Sequence, residues 1–252
     1  MNNKMNNEIL LKALFLSGIG NRLIKTYNKD IFHSDKSSTA VKDAFASDHL
    51  IILTNHMTLT DSAILHSYFG KIFGYLGIIR HAFRPLVWNL PAVENLETLK
   101  SSYQNFLVRY LFNNCGRLLP IDRSNPDAAN STFSKLVEMT INSKQVFNIF
   151  PEAGRTREIE FNKDNIMPGA AKAIYDVKKE TGKLPCILCV YLRSENQVGF
   201  SDQPAKGKIH IVSRVLDIKI DEKKSPLRQR KMISDQIGLK LEELQEIWKS
   251  QI

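Results

Sequence analysis

The sequence predicts an α/β fold: a mostly parallel central sheet flanked by helices, with a short N-terminal amphipathic helix. Two observations carry this prediction. Short apolar runs alternate with stretches of helical period through the chain, as strand-helix-strand units require. The run over residues 184–192, Leu-Pro-Cys-Ile-Leu-Cys-Val-Tyr-Leu, is apolar at consecutive positions and suits a strand covered on both faces. The length, 252 residues, fits one large domain able to bury a sizeable core. Residues 1–47 are expected to form an N-terminal helix and linker, and residues 48–252 the α/β domain.

Residues 9–20 are apolar but interrupted by Lys12, Gly18 and Gly20. A bilayer-spanning helix needs about 20 apolar residues, so this stretch is not expected to cross a membrane. No small-residue cleavage site of a signal peptide follows it. An amphipathic helix over residues 8–27, with Arg22 and Lys25 near the surface, suits either a membrane interface or packing on the main domain. Residues 28–48 are polar and read as a linker. Strands are expected at 50–53 and 74–80, and a helix at 62–69. Leu96, Leu99, Tyr103, Phe106 and Tyr110 recur at helical intervals and mark a long amphipathic helix. Helices are expected over 126–142 and 168–180, a strand over 146–150, and one or two closing strands over 208–220. From Pro226 a stripe of Ile233, Ile237, Leu241, Leu244 and Trp248 marks a terminal helix.

Between the first strand and the first helix lies Thr54-Asn55-His56-Met57-Thr58-Leu59-Thr60-Asp61. Open α/β sheets place ligands at such junctions. Thr58 or Thr60 is available as the N-cap of the helix. Within one helix, His56 and Asp61 would be rotated apart by about 140°, so the chain must turn for them to meet. If they meet, a neutral imidazole held by a carboxylate can take a proton from a hydroxyl. That hydroxyl can belong to a substrate, which describes direct acyl transfer from a thioester to an alcohol. Alone, the pair also fits a strand-end histidine and a helix-capping aspartate.

Three further blocks share this character. Residues 116–123 (Gly-Arg-Leu-Leu-Pro-Ile-Asp-Arg) read as a short strand ending in a charged turn. Residues 148–157 (Asn-Ile-Phe-Pro-Glu-Ala-Gly-Arg-Thr-Arg) place a strand end, a carboxylate, two small residues and two arginines together, a composition suited to gripping a phosphate. The fourth is the strand entered through Pro185.

In this order and at these intervals, the four blocks resemble the four motifs of the glycerolipid acyltransferase family, which includes the glycerol-3-phosphate and 1-acylglycerol-3-phosphate acyltransferases. Asn55, His56 and Asp61 match its N-H-x4-D motif. Ile121, Asp122 and Arg123 match the hydrophobic-Asp-Arg turn of the second. Phe150, Pro151, Glu152, Gly154, Arg155 and Arg157 match the third, and the run from Pro185 the fourth. The resemblance implies that His56 is the general base and Asp61 its partner. It assigns Arg123, Glu152, Gly154, Arg155 and Arg157 to acceptor binding, with no metal and no cofactor beyond acyl-CoA or an acyl-carrier protein as co-substrate. Two positions depart from the pattern. Ala153 stands for the first glycine of the third motif, and Gly116 lies one position further from the arginine than usual. Both bear on acceptor identity and leave the proton-transfer pair intact.

Composition sets the remaining bounds. Hydrophobic residues make up 43% and charged residues 24%, ordinary for a globular protein. The histidines His33, His49, His56, His66, His81 and His210 show no metal-ligand spacing. Cys115, Cys186 and Cys189 give no disulfide framework, which fits a reducing compartment. Cys186 and Cys189 match a redox or zinc half-site on paper but fall within an apolar strand, as core thiols do. The net charge of +9 is concentrated late, in Lys206, Lys208, Arg214, Lys219, Lys223, Lys224, Arg228, Arg230 and Lys231. It lacks the aromatic interleaving that stacks bases, so no nucleic-acid partner is expected. An anionic membrane surface fits better, with each nearby basic residue contributing on the order of 1 kcal/mol. The expected place is the cytoplasmic side of a membrane, peripheral or monotopic. The expected acceptor is a phosphate-bearing glycerolipid, most readily 1-acylglycerol-3-phosphate, in phospholipid biosynthesis. The alternatives are a glycerol-3-phosphate or other lysophospholipid acyltransferase and, outside enzymes, a peripheral lipid-binding protein.

Overall fold

The computed structural model describes residues 31–58, 60–81, 88–89, 119, 121–122, 124–152, 160–201 and 203–251. The helices expected over 8–27 and around 96–110, and most of the 116–123 block, lie outside the described residues.

In chain order, the elements begin with β1 (Ile31–Phe32), α1 (Asp35–Ala46), β2 (Leu50–Thr54), α2 (Asp61–His81) and β3 (Trp88–Asn89). Next come α3 (Pro126–Asn142), β4 (Phe147–Ile149), a 3-10 turn (Lys163–Asn165) and α4 (Pro168–Thr181). The chain closes through β5 (Cys186–Ser194), β6 (Ile209–Val215) and α5 (Pro226–Lys249). The strands form one sheet in the order β1-β6-β5-β2-β4-β3. Every neighbouring pair is parallel except β5 with β6. This is the mostly parallel α/β sheet that the apolar runs predict.

β2 sits between β5 and β4, with Thr54 opposite Val190 and Leu53 opposite Ile149. All five of its residues are buried, and their alternation feeds two cores. Ile51 and Leu53 join Ile187, Cys189 and Tyr191 beneath α3, α4 and α5. Leu50 and Ile52 join Leu188, Val190 and Leu192 beneath α1 and α2. Each fully buried Leu or Ile contributes about 1.5–3 kcal/mol, so a two-faced strand anchors both layers at once. The stripe predicted for the last helix is buried at all five positions. Gly182 stops α4 in the left-handed region at φ 73°, a conformation that favours a residue without Cβ.

Two expectations are corrected. Residues 74–80 are not a second strand, because α2 continues through them to His81. A short apolar run between glycines has no period that separates a strand from a buried helix. Residues 28–48 are not a plain linker, since from residue 31 they carry β1 and α1. Val41, Ala44 and Phe45 of α1 are buried, while Asp35, Lys36, Lys42 and Asp43 cover its outer face and mask the stripe. Ser34 caps this helix, its hydroxyl accepting from Ser37 N–H at 3.2 Å. The 208–220 stretch supplies one strand, β6, within the one or two expected, paired antiparallel to β5. Among the described residues, no helix is long and apolar enough to cross a membrane.

Candidate active site

The chain leaves β2 at the carboxyl ends of β2, β4 and β5 together, where parallel sheets present their ligand sites. At the last residue of β2, the Thr54 hydroxyl donates to Asn148 Oδ1 on β4 at 2.7 Å. Asn55 then turns its carboxamide to β5. Its Nδ2 donates to Leu192 O at 3.0 Å, and its Oδ1 accepts from Leu192 N–H at 2.8 Å.

His56 follows and is held by the end of β4. Its backbone N–H donates to the Glu152 carboxylate at 3.1 Å. Its ring lies on the Phe150 ring, with centroids 4.1 Å apart and planes 23° from parallel. The imidazole side chain keeps 15% exposure, whereas the Asp61 side chain has none.

The chain turns back between His56 and Asp61, as the spacing demands, and Asp61 opens α2. One carboxylate oxygen, Oδ2, accepts from His56 Nδ1 at 2.9 Å, Met57 N–H at 2.7 Å and Thr58 N–H at 2.9 Å. The other, Oδ1, accepts from the Thr58 hydroxyl at 2.6 Å. A buried carboxylate without such donors costs several kcal/mol. Here four donors and the positive end of the α2 dipole hold the charge. With Nδ1–H given to Asp61, the acceptor lone pair of the ring is Nε2. The geometry fixes the imidazole tautomer, stacks the ring against drift and leaves it partly exposed.

The backbone of the turn is held from outside as well. Ser201, in the β5–β6 connection, pairs with Thr58 as an isolated parallel bridge and donates its N–H to Met57 O at 3.3 Å.

The structure thus brings His56, Asp61 and Glu152 together. Arg123, Gly154, Arg155 and Arg157 lie outside the described residues. Sequence reasoning did not assign roles to Asn55 and Phe150, although both stood inside the quoted motifs, and gave Thr58 only as a candidate N-cap. Nothing local in the sequence marks Ser201. Cys186 and Cys189 sit on opposite faces of β5, one against each core, so they do not form a half-site. Burial pushes the Cys189 thiol up to about 12, which marks a core group. Among the described residues, no cluster of His, Cys, Asp and Glu is arranged to hold a metal.

The sequence profile of the Acyltransferase family matches residues 32–191, from β1 through most of β5. The chain belongs to the Acyltransferase family. Membership makes it an enzyme that transfers acyl groups to a hydroxyl, and the matched stretch contains the His56–Asp61 turn and the end of β4. Among solved structures, the 1-acyl-sn-glycerophosphate (LPA) acyltransferase PlsC from Thermotoga maritima is similar, with a TM-score of 0.53 and 13% identity. The similarity covers 92% of this chain and 79% of that one, and at this identity it speaks for the fold. No curated protein matches the chain.

Proposed function

We propose that this acyltransferase moves a fatty acyl group from acyl-CoA or an acyl-carrier protein to a hydroxyl of a phosphate-bearing glycerolipid, 1-acylglycerol-3-phosphate first among them. The observation that carries the reading is the 2.9 Å contact between His56 Nδ1 and a buried, fully hydrogen-bonded Asp61.

His56 Nε2 takes the proton of the acceptor hydroxyl as that oxygen attacks the thioester carbonyl. Asp61 stabilises the imidazolium that forms. The tetrahedral oxyanion collapses, the carbon–sulfur bond breaks, and the imidazolium returns its proton to the departing thiolate. The products are an ester and a free thiol, with no covalent acyl-enzyme. Arg123, Glu152, Gly154, Arg155 and Arg157 hold the acceptor. Glu152 also fixes the His56 backbone, which ties acceptor binding to the placement of the base. The scheme calls for no cofactor beyond the acyl donor. The basic residues concentrated from Lys206 onward attract an anionic membrane surface, consistent with a peripheral enzyme of phospholipid biosynthesis on the cytoplasmic side.

Thiol release from acyl-CoA, measured with lysophosphatidate and with glycerol-3-phosphate for wild type and His56→Ala, tests the proposal. Wild type is expected to release thiol with a phosphate-bearing acceptor, and the variant to lose about 10²–10⁴-fold. Undiminished turnover by His56→Ala refutes the base. Vesicle binding by wild type without thioester consumption favours a lipid-binding protein instead.

A further inference from the structure

We infer that Gln197, in the loop joining β5 to β6, is a positioning residue for the His56–Asp61 pair, acting through Ser201 and the Met57–Thr58 peptide. The inference rests on the reading of Asp61 as partner of the base.

Gln197 is buried, with 5% exposure, and its carboxamide braces the loop from within. Its Nε2 donates to Gly199 O at 2.8 Å and to Ser201 Oγ at 2.9 Å. Its Oε1 accepts from Ala205 N–H at 2.7 Å. Its own backbone is tied down too: Arg193 Nη2 donates to Gln197 O at 2.7 Å, and Gln197 N–H donates to Ser194 O at 3.0 Å. Gly199 adopts φ 66°, which lets the loop fold back over the carboxamide. The Ser201 hydroxyl passes its hydrogen on to Gln203 O. The loop is therefore rigid at the point where it meets the catalytic turn.

That meeting point is one peptide unit. Ser201 N–H donates to the carbonyl of Met57, and the N–H of the same peptide, on Thr58, donates to Asp61 Oδ2 at 2.9 Å. A peptide gripped at its oxygen is fixed in orientation, and its N–H becomes a stronger donor, because hydrogen bonds in series polarise one another. The carboxylate oxygen thus steadied is the one that holds His56 Nδ1. Loosening Gln197 frees Ser201, lets the peptide rotate, and misplaces Asp61 without touching either reactive side chain.

A double-mutant cycle tests this, with kcat and KM for acyl-CoA and lysophosphatidate measured on wild type, Gln197→Ala, Asp61→Asn and the double variant. Gln197→Ala is expected to lower kcat about tenfold with KM unchanged, and to add nothing once Asp61 is already Asn. An equal fold-loss in both backgrounds overturns the inference while leaving the His-Asp reading standing. Wild-type kcat for Asp61→Asn removes the reading, and the inference with it. Should Gln197→Ala not fold, Gln197→Glu and Ser201→Ala run the same cycle. Gln197→Glu keeps the acceptor and loses the Nε2 donors, and Ser201→Ala removes the hydroxyl that Gln197 holds. Additivity in either overturns the inference equally.

Discussion

Asn55 and Leu192 exchange two hydrogen bonds, at 2.8 and 3.0 Å, across 137 positions of sequence. The carboxamide imitates a strand residue and extends the β2–β5 pairing one step beyond the last backbone ladder contact. Asn55→Ala leaves the buried N–H and C=O of Leu192 without partners, each costing about 1–3 kcal/mol. The melting temperature should fall by about 2–4 °C per kcal/mol, and kcat should fall with it because His56 is the next residue. Thermal melts and steady-state rates on this variant check the claim. Wild-type values for both would sink it.

Phe150 gives the His56 ring its floor. Aromatic pairs of this kind contribute about 0.5–1.5 kcal/mol, so Phe150→Ala should cost about two- to tenfold in kcat. Phe150→Tyr keeps the stack and should stay near wild type. Equal rates for the alanine and tyrosine variants would show that the ring needs no support from beneath.

Gly238 lies in α5 against the 3-10 turn. A Cβ there would stand 2.7 Å from the Lys163 carbonyl oxygen and 3.1 Å from Lys163 Cβ. Alanine gains about 1 kcal/mol of helix propensity over glycine, while overpacking costs about 1–3 kcal/mol. The clash is with backbone, which yields less than a flexible side chain, so Gly238→Ala should lower the melting temperature. Turnover per folded molecule should be unchanged at low temperature. A rise in melting temperature contradicts this packing argument.

Stability should decline in alkali. Burial pushes the Tyr68 phenol up to about 12 from an ordinary value near 10, despite its bond to Ser213. Burial likewise pushes the Cys189 thiol up to about 12 from near 9. Both groups keep their protons longer in the folded chain than in the unfolded one. Their contribution is therefore complete below pH of about 9 and drains away as pH rises towards 12. Denaturation midpoints from pH 8 to 11, followed with phenolate absorbance, should show a fall coincident with tyrosine ionisation. A flat profile over that range is the adverse result.

Much of this was legible in the chain. The apolar run of β5, the helices begun at Pro126, Pro168 and Pro226, and the turn forced on His56 and Asp61 all follow from local pattern. Two misreadings share a cause. In α1 the charged residues outnumber the buried stripe, and over residues 74–80 the apolar residues are too continuous to show a period. Glu152 was legible as part of a motif, but its bond to the His56 backbone arises only when β4 is placed beside β2. Gln197 and Ser201 carried no signal, since apart from their bond to each other their side chains' partners are backbone groups that topology delivers.

The central position of β2 has a consequence for biosynthesis. Its two neighbours, β4 and β5, are both translated after it, and Leu192 follows Asn55 by 137 positions of the chain. On the ribosome the nascent turn holding His56 and Asp61 has no flanking strands to lean on, and non-local pairing of this kind is slow to form. The turn that carries His56 and Asp61 can therefore take its final form only once β5 lies beside β2.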